Sequence, residues 1–431
     1  MAHECSQQSS GPAQPGWQAV QFNRRGVSVD TSGAPAVIAA NATSLYIVLK
    51  VTERCNLACP YCYFFFAGDD TFKIHPATIL GDTIDGLIEF VGEAIDNSAV
   101  QQVNIGFHGG EPLLLRKETF RGMCTRLEEA LAHRCKLQFM MQTNAVLVDP
   151  EWVELFVRYQ IQMGVSFDGP EEIHNLTRIT KKGRGTYTET RRGWDVMNAA
   201  GNEGRMPNPG VLCVIAPGQS ARKTYAHFVN DLATTNINFL MPDVNHDSPE
   251  ATAAFIDAVG DYMIEICHAW LTDGARRGVE IRFIKEIIGP LLDDQVCRAS
   301  ALGKYNPFVL MTVSSNGDIA PDDIVRTLAP RFRETGFQVG RNTLPELAAS
   351  SQWQELARAQ RQLPQPCQSC VWRSVCRGGA PQNRFSGARG FDNPSVYCKS
   401  LKRVYAYLAD SLIKGGIGAD AMEQRLEMAY E

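Results

Sequence analysis

From residue 44 onward, apolar positions fall into short β-branched runs separated by longer stretches of helical spacing. The runs are Leu45–Val51, Gln102–Phe107, Leu137–Gln142, Gln162–Phe167, Val211–Ile215 and Ile237–Met241, each of strand length. Helical patterns lie between them near residues 77–95, 117–133, 149–159, 188–200 and 221–233, and a longer one at 249–275 follows the sixth run. The first of these, ATILGDTIDGLIEFVGEAI, repeats apolar residues at three- and four-residue spacing, the stripe of a half-buried helix. Six strands each followed by a helix predict a parallel sheet with right-handed crossovers, either doubly wound or curled into a partial barrel. Polar motifs close nearly every strand: CNLAC after the first, HGGEP after the second, TNA after the third and DGP after the fourth. Strand ends of a barrel surround one cavity, so four chemically loaded ends favour the curled sheet. The expected fold class is α/β, a partial (β/α)6 barrel over residues 44–290. Residues 291–431 break into short strands, turns and a cysteine-rich segment, expected as a separate small domain. Residues 1–43, rich in Ser, Gly, Pro and Gln, predict a poorly ordered arm.

Composition narrows the class. The chain has 431 residues, 44% hydrophobic and 21% charged, with a net charge of −5. That is a soluble globular profile without the basic block of a nucleic-acid binder. No apolar run is long enough to span a bilayer and the first residues lack a secretory layout, so the expectation is a cytoplasmic protein with neither nucleic-acid nor membrane partners. Thirteen cysteines are many for a reducing compartment, where metal or cluster ligation explains them better than disulfides. They fall into a group at Cys55, Cys59 and Cys62 and a group at Cys367, Cys370, Cys376 and Cys398, with Cys297 alone between them. Cys5, Cys124, Cys135, Cys213 and Cys267 read as small hydrophobes.

Cys55-x3-Cys59-x2-Cys62 sits on the loop after the first strand. A [4Fe–4S] cube ordinarily takes four thiolates, so three leave one iron open to an outside ligand. The aromatic run Tyr61, Tyr63, Phe64, Phe65 and Phe66 would shield such a cube from water. The plainer alternative is a zinc site or three unrelated thiols. The second group supplies four thiolates, which by spacing alone suit a closed cube or structural Zn²⁺ equally.

CNLACPYCY resembles the signature of the radical S-adenosylmethionine (SAM) superfamily, and the likeness extends over about residues 44–245. It implies a TIM-like partial barrel whose open iron is chelated by SAM, with Tyr61 in the cofactor loop. Gly109-Gly110-Glu111-Pro112 looks like the family's GGEP motif, which implies that its backbone and Glu111 bind the SAM amino group. Gln142-Thr143-Asn144-Ala145 resembles a QTNG segment with Ala145 where glycine is usual, and Ser166-Phe167-Asp168-Gly169-Pro170 resembles an SLDGP segment. The resemblance implies that Asn144, Ser166 and Arg178 touch the ribose or methionine part of SAM, while Asp168 could equally be a turn residue.

CQSCVWRSVCRGG…NPSVYC resembles the SPASM (twitch-like) extension of radical SAM peptide-modifying enzymes, which implies an auxiliary [4Fe–4S] cluster on Cys367, Cys370, Cys376 and Cys398. Relatives with two auxiliary clusters carry four more cysteines. Here Cys297 matches the first, whereas Gly303, Asp322 and Ala380 stand at the other three. The expectation is two clusters in total, with Cys297 left over. Asp323 matches a candidate base of sulfatase-maturing relatives. Asp322 and Asp323, adjacent carboxylates, could raise each other's proton affinity so that one of them serves as the base near neutrality, against the alternative of a solvated acidic turn.

SPASM-bearing relatives mostly act on ribosomally made peptides. CPYCYFFFAGDD and NFLMPDVNHD are most similar to maturases that forge three-residue cyclophanes, joining an aromatic ring carbon to the Cβ of a residue two places on. That implies a precursor-peptide partner, an external one-electron reductant of the flavodoxin or ferredoxin type, and the auxiliary cluster as electron acceptor. Asp243, His246 and Asp247 after the sixth strand could touch the peptide. Formylglycine formation of the sulfatase-maturase kind, or another change such as epimerisation, is the alternative.

Overall fold

The protein is described here from a computed structural model covering residues 43–292 and 307–427. The arm expected at 1–43 lies, but for its last residue, outside the described residues, as do Cys5, Cys297 and Gly303.

Six parallel strands form in the expected places: β1 (Ser44–Thr52), β2 (Gln102–Gly109), β3 (Lys136–Thr143), β4 (Gln162–Ser166), β5 (Gly210–Val214) and β6 (Asn236–Leu240). They stand side by side in strict chain order. A doubly wound sheet would reverse that order at a switch point. With crossovers of one hand, sequential order puts every helix on the same face, and the sheet must curl around its other face. This is the expected α/β partial barrel. The crossover helices are α1 (Gly81–Asn97), α2 (Lys117–Leu131), α3 (Pro150–Arg158), α4 (Glu171–Thr177), α5 (Tyr187–Asn202), α6 (Ala221–Ala226) and α7 (Ala253–Ala269). The last two end in wide π turns, His227–Asp231 and Trp270–Gly274, which occupy the rest of the lengths expected to be helix.

Alternation along β1 sets the site. Leu45, Ile47, Leu49 and Val51 are fully buried in the core shared with α1 and α2. Side chains of a strand alternate between faces, so Tyr46, Val48, Lys50 and Thr52 point the other way, into the curve. Lys50 is fully buried there. It pairs in register with His108 of β2, and Phe107 pairs with Met141 of β3. Lys50, His108 and Gln142 therefore form one row across the inner face.

The C-terminal segment is not separate from this barrel. β8 (Leu310–Val313) adds to the free edge of β1 in parallel, and β9 (Ile319–Ala320) follows it antiparallel. At the far edge the two-residue β7 (Glu280–Ile281), before α8 (Arg282–Leu292), pairs with β6. Helix α9 (Cys398–Lys414) lies on α7 so closely that a Cβ on Gly260 would stand 2.7 Å from Cβ of Ser400, whose hydroxyl donates to the Ile256 carbonyl (2.6 Å). Leu49, Val313 and Leu401 belong to one apolar core. A division at residue 291 thus cuts no boundary in the core, although Val325, Phe332, Leu356, Phe385 and Phe391 form a small core of their own. Among the described residues no helix is long and apolar enough to cross a membrane.

Candidate active site

The loop after β1 carries Cys55, Cys59 and Cys62, none in a disulfide. It is folded by Cys62 N–H donating to the Cys59 carbonyl (3.0 Å) and tied to the loop after α4 by Ala58 N–H donating to the Ile179 carbonyl (2.8 Å). Burial first, then the charge of Glu111 and of the other two thiols, pushes Cys55 up to about 12. Three thiolates so close together in a buried loop need a strongly cationic centre to hold them deprotonated, which is what an iron–sulfur cube supplies. The donor set fits.

The expected aromatic screen is only partly present. Phe64, Phe65 and Phe72 pack ring to ring at 4.8–5.9 Å, but Phe66 is 58% exposed. The hydroxyl of Tyr61 donates to Asp168 and that of Tyr63 to Asp323, so both tyrosines are fixed by carboxylates.

The GGEP segment is held against the cysteine loop. Gly110 N–H donates to the Thr52 carbonyl (2.9 Å) and Glu111 N–H to that of Arg54 (2.8 Å). A Cβ on Gly109 would lie 1.9 Å from the Thr52 oxygen and one on Gly110 2.1 Å from the Arg54 oxygen. Both positions therefore require glycine, and the close approach is to the cysteine loop itself. Pro112 starts a short 3₁₀ turn, where its fixed φ and missing N–H cost nothing. Glu111 is buried and already engaged. It accepts from Leu113 N–H (3.2 Å), the Thr143 hydroxyl (2.6 Å) and Asn144 N–H (2.8 Å). Burial outweighs these donors and pushes it up to about 7. Its first duty is to tie the end of β2 to the end of β3; an ammonium would be a further partner.

Asn144 donates from its amide to Asn56 on the cysteine loop (2.9 Å), and Ala145 takes the left-handed conformation at φ 60°, the reason glycine suits that position. Gln142 bridges His108 (3.1 Å) and Ser166 (3.4 Å). Asp168 is no mere turn residue. Its Oδ2 accepts from Tyr61, Thr177 and Arg178 Nε (3.0 Å), and its Oδ1 from Val214 N–H (3.2 Å). Burial works against the Arg178 charge, but Asp168, with Tyr61 and Cys59, more than offsets it and holds Arg178 above its ordinary value. Gripped at Nε, the guanidinium keeps its terminal fork for a carboxylate.

Cys367, Cys370, Cys376 and Cys398 come together at the other end of the segment. After burial, the largest influences on Cys367 are the Cys376 and Cys398 thiols, with Cys370 also acting on it. Arg377, Gly378 and Gly379 are all left-handed, at φ 55°, 81° and 82°. A Cβ on Gly379 would meet Ser395 at 2.8 Å, so this tight reversal lets the Cys398 segment reach Cys376. Among the described residues no three His, Cys, Asp or Glu are arranged to hold a single metal ion; the thiolates of a cube stand farther apart than those around one ion. Of the scattered cysteines, Cys124, Cys213 and Cys267 are fully buried, as small hydrophobes should be.

The acid pair behaves differently from the expectation that each carboxylate would raise the other. Asp323 forms an ion pair with Lys50 (2.8 Å), accepts from Tyr63, and faces His108 Nδ1 at 3.5 Å. Burial would raise it, but Lys50, with His108 and Arg326 behind, holds it down at about 2. It is therefore a counter-ion and a poor proton acceptor at neutral pH. Asp322 caps the following turn through Ile324 N–H (2.7 Å) and Val325 N–H (3.2 Å). It is nonetheless pushed up to about 6, by burial and then by Asp323. His246 and Asp247 also have structural duties: His246 Nε2 meets the Pro394 carbonyl (2.8 Å) and Asp247 accepts from Gly387 N–H (2.7 Å), clamping the loop after β6 to the cysteine-rich segment. Lys50, the residue that decides the state of Asp323, had one signal in the sequence: a lysine on an otherwise apolar strand.

A barrel whose first loop holds three clustered thiols, with a glycine-rich turn, an amide and a gripped arginine on the next strand ends, is the architecture of a radical SAM domain. Residues 49–256 match the Radical SAM superfamily, so the chain carries a SAM-binding, iron–sulfur radical SAM domain and is an enzyme. It is 24% identical over 375 residues to the cysteine-type anaerobic sulfatase-maturating enzyme of Clostridium perfringens (strain 13 / Type A), covering 85% of this chain and 96% of that protein. It is also 24% identical over 392 residues to the serine-type enzyme of Bacteroides thetaiotaomicron, covering 85% and 90%. Its fold is similar to that of native anSMEcpe with bound AdoMet and Cp18Cys peptide (TM-score 0.72, 20% identity, 86% and 98% of the chains). It is also similar to that of Streptococcus suis SuiB bound to precursor peptide SuiA (TM-score 0.57, 16% identity, 84% and 77%). The chain is thus similar over most of its length to anaerobic sulfatase-maturating enzymes, and its likeness to SuiB is one of fold.

Proposed function

We propose that this enzyme matures a ribosomally made precursor peptide by joining an aromatic ring carbon to the Cβ of a residue two places on. SAM bound at an open-iron [4Fe–4S] cluster supplies a carbon radical able to remove an unactivated hydrogen atom. In this reading Cys55, Cys59 and Cys62 hold that cluster, and Cys367, Cys370, Cys376 and Cys398 hold one auxiliary cluster. The backbone of Gly109, Gly110 and Pro112, with Glu111, receives the SAM ammonium; Arg178, oriented by Asp168 and Tyr61, meets its carboxylate; Asn144 and Ser166 line the remainder. An external reductant of the flavodoxin or ferredoxin type delivers the electron.

The observation that carries the crosslinking reading is at the vacant second ligand set. Asp322 spends its carboxylate on the turn before Val325, and Ala380 offers no donor side chain. That favours a single auxiliary cluster over the two-cluster arrangement usual in sulfatase maturation. Formylglycine formation is the second reading, favoured by the likeness to sulfatase-maturating enzymes over most of the chain.

Co-expression with a short peptide encoded beside the gene, followed by tandem mass spectrometry, tests both. A crosslink appears as a product lighter by two hydrogens whose bridged residues fail to fragment between ring and Cβ. An aldehyde trapped by hydrazide on a Cys- or Ser-containing sulfatase peptide would replace the first reading by the second. Independently, Glu111→Gln removes a charge-assisted bond of about 1.5–3 kcal/mol, so SAM affinity measured by equilibrium dialysis should fall roughly tenfold to a hundredfold. Unchanged affinity would leave Glu111 with its structural role alone.

A further inference from the structure

Three carboxylates, Asp243, Asp322 and Asp323, act on one another electrostatically where the end of β6 meets the turn after β9. Two are occupied. Asp323 is paired with Lys50 and Tyr63, and Asp322 caps its own turn. Asp243 has no hydrogen-bond or ion-pair partner among the described residues. Its side chain is exposed, and Asp322, Asp323, Tyr63 and Tyr397 stand close enough to interact with it electrostatically. The backbone on either side is fixed. The Tyr397 hydroxyl donates to the Pro242 carbonyl (2.8 Å), Val244 N–H donates to the same oxygen (2.9 Å), and the Asn383 amide donates to the Val244 carbonyl (2.8 Å). Tyr397 and Asn383 belong to the segment that carries Cys376 and Cys398, so the free carboxylate is presented rigidly between the barrel mouth and the auxiliary thiols.

We propose that Asp243 is the catalytic base that takes the proton from the peptide as its ring returns to aromaticity. This rests on the crosslinking reading above. In balance, the peptide gains one C–C bond and gives up a hydrogen atom from Cβ, an electron and a ring proton. The hydrogen atom goes to the SAM-derived radical, the electron to an oxidised iron–sulfur cluster, and the proton to Asp243. Burial and then the charges of Asp322 and Asp323 push Asp243 up to about 7, where a carboxylate can both accept and release a proton near neutrality. Asp322 and Asp323 from the turn after β9 act on it, and it acts in turn on Tyr63 from the cysteine loop and Tyr397 before α9, with Lys50 of β1 behind Asp323.

The test uses full-length, cluster-loaded enzyme carrying Asp243→Asn, with a peptide that the wild type crosslinks. Cluster content and 5′-deoxyadenosine formation should be retained, while crosslinked product falls about 100- to 10,000-fold. Asp243→Glu should restore part of it, and the acid limb of the wild-type product profile should be missing from the residual activity of Asp243→Asn. Full product from Asp243→Asn would overturn the proposal while leaving the crosslinking reading intact. A wild type that cleaves SAM but modifies no peptide would overturn the crosslinking reading and the role assigned to Asp243 with it. Infrared titration needs no peptide: a protonated-carboxyl band lost near pH 7 in wild type and missing from Asp243→Asn supports the assignment. A carboxyl that titrates within the ordinary aspartate range of about 4 overturns it.

Discussion

Replacing Cys55, Cys59 and Cys62 together by Ala should remove all SAM-dependent 5′-deoxyadenosine formation while leaving one cluster in the protein. Anaerobic reconstitution of the wild type should give about eight irons per chain and the triple variant about four, as expected for two cubes and one. The two thiol groups should be separable in this way because they sit on different parts of the fold, one on the loop after β1 and the other spanning residues 367–398. Four thiolates saturate a cube, so the auxiliary cluster cannot take over SAM chelation. A triple variant that still made 5′-deoxyadenosine would show that the open iron lies elsewhere. Loss of all iron would instead mean that the cysteine loop is needed to fold the second site.

Much of the barrel was legible in the sequence. β1 to β6 fall within one or two residues of the β-branched runs that predict them, because each strand is buried on at least one face and its local pattern carries that fact. The curl followed from where the polar motifs fell. What could not be read was long-range. Nothing local in LMTV says that it will extend the sheet beside β1, so the C-terminal segment read as a separate domain. Gly109 and Gly110 were recognised by motif, but their reason, the approach of Thr52 and Arg54, is a contact between loops distant in the chain.

The acid pair is the sharpest case. The sequence makes Asp323 the candidate base and Asp322 the neighbour at a vacated ligand position, yet the fold gives them opposite characters by setting Lys50 against Asp323. The same fold leaves Asp243, on the loop the sequence offers as a peptide contact, with the least engaged carboxylate of the three. Local sequence names the chemical groups; which of them meets a cation is decided by packing across the barrel.

Lys50→Met should therefore be among the most damaging single substitutions away from the thiols. It leaves a buried carboxylate without its cation, a loss of about 3–5 kcal/mol when one member of a buried pair is removed, enough to consume much of a domain's stability. The Lys50 ammonium also lies over the Phe64 ring at 3.6 Å, a cation–π contact that Met gives up, so the size of the loss alone does not isolate the pairing with Asp323. The pH dependence gives the signature. In wild type, Asp323 is held at about 2, below the ordinary aspartate value of about 3.9. Its contribution is fully present above the ordinary value and is lost as pH falls through about 2. Without Lys50, burial dominates and raises Asp323 above the ordinary value, so its sign reverses: the variant loses stability as pH rises through the carboxylate range. Thermal melts at pH 5 and pH 8 should show the gap between Lys50→Met and wild type widening at the higher pH. Adding Asp323→Asn removes the stranded charge and keeps an acceptor for the Tyr63 hydroxyl, so the double variant should recover most of the lost stability and its gap to wild type should lose the pH dependence. A gap that stayed constant with pH in Lys50→Met, or no recovery in the double variant, would mean that Lys50 acts through packing and that Asp323 does not depend on it.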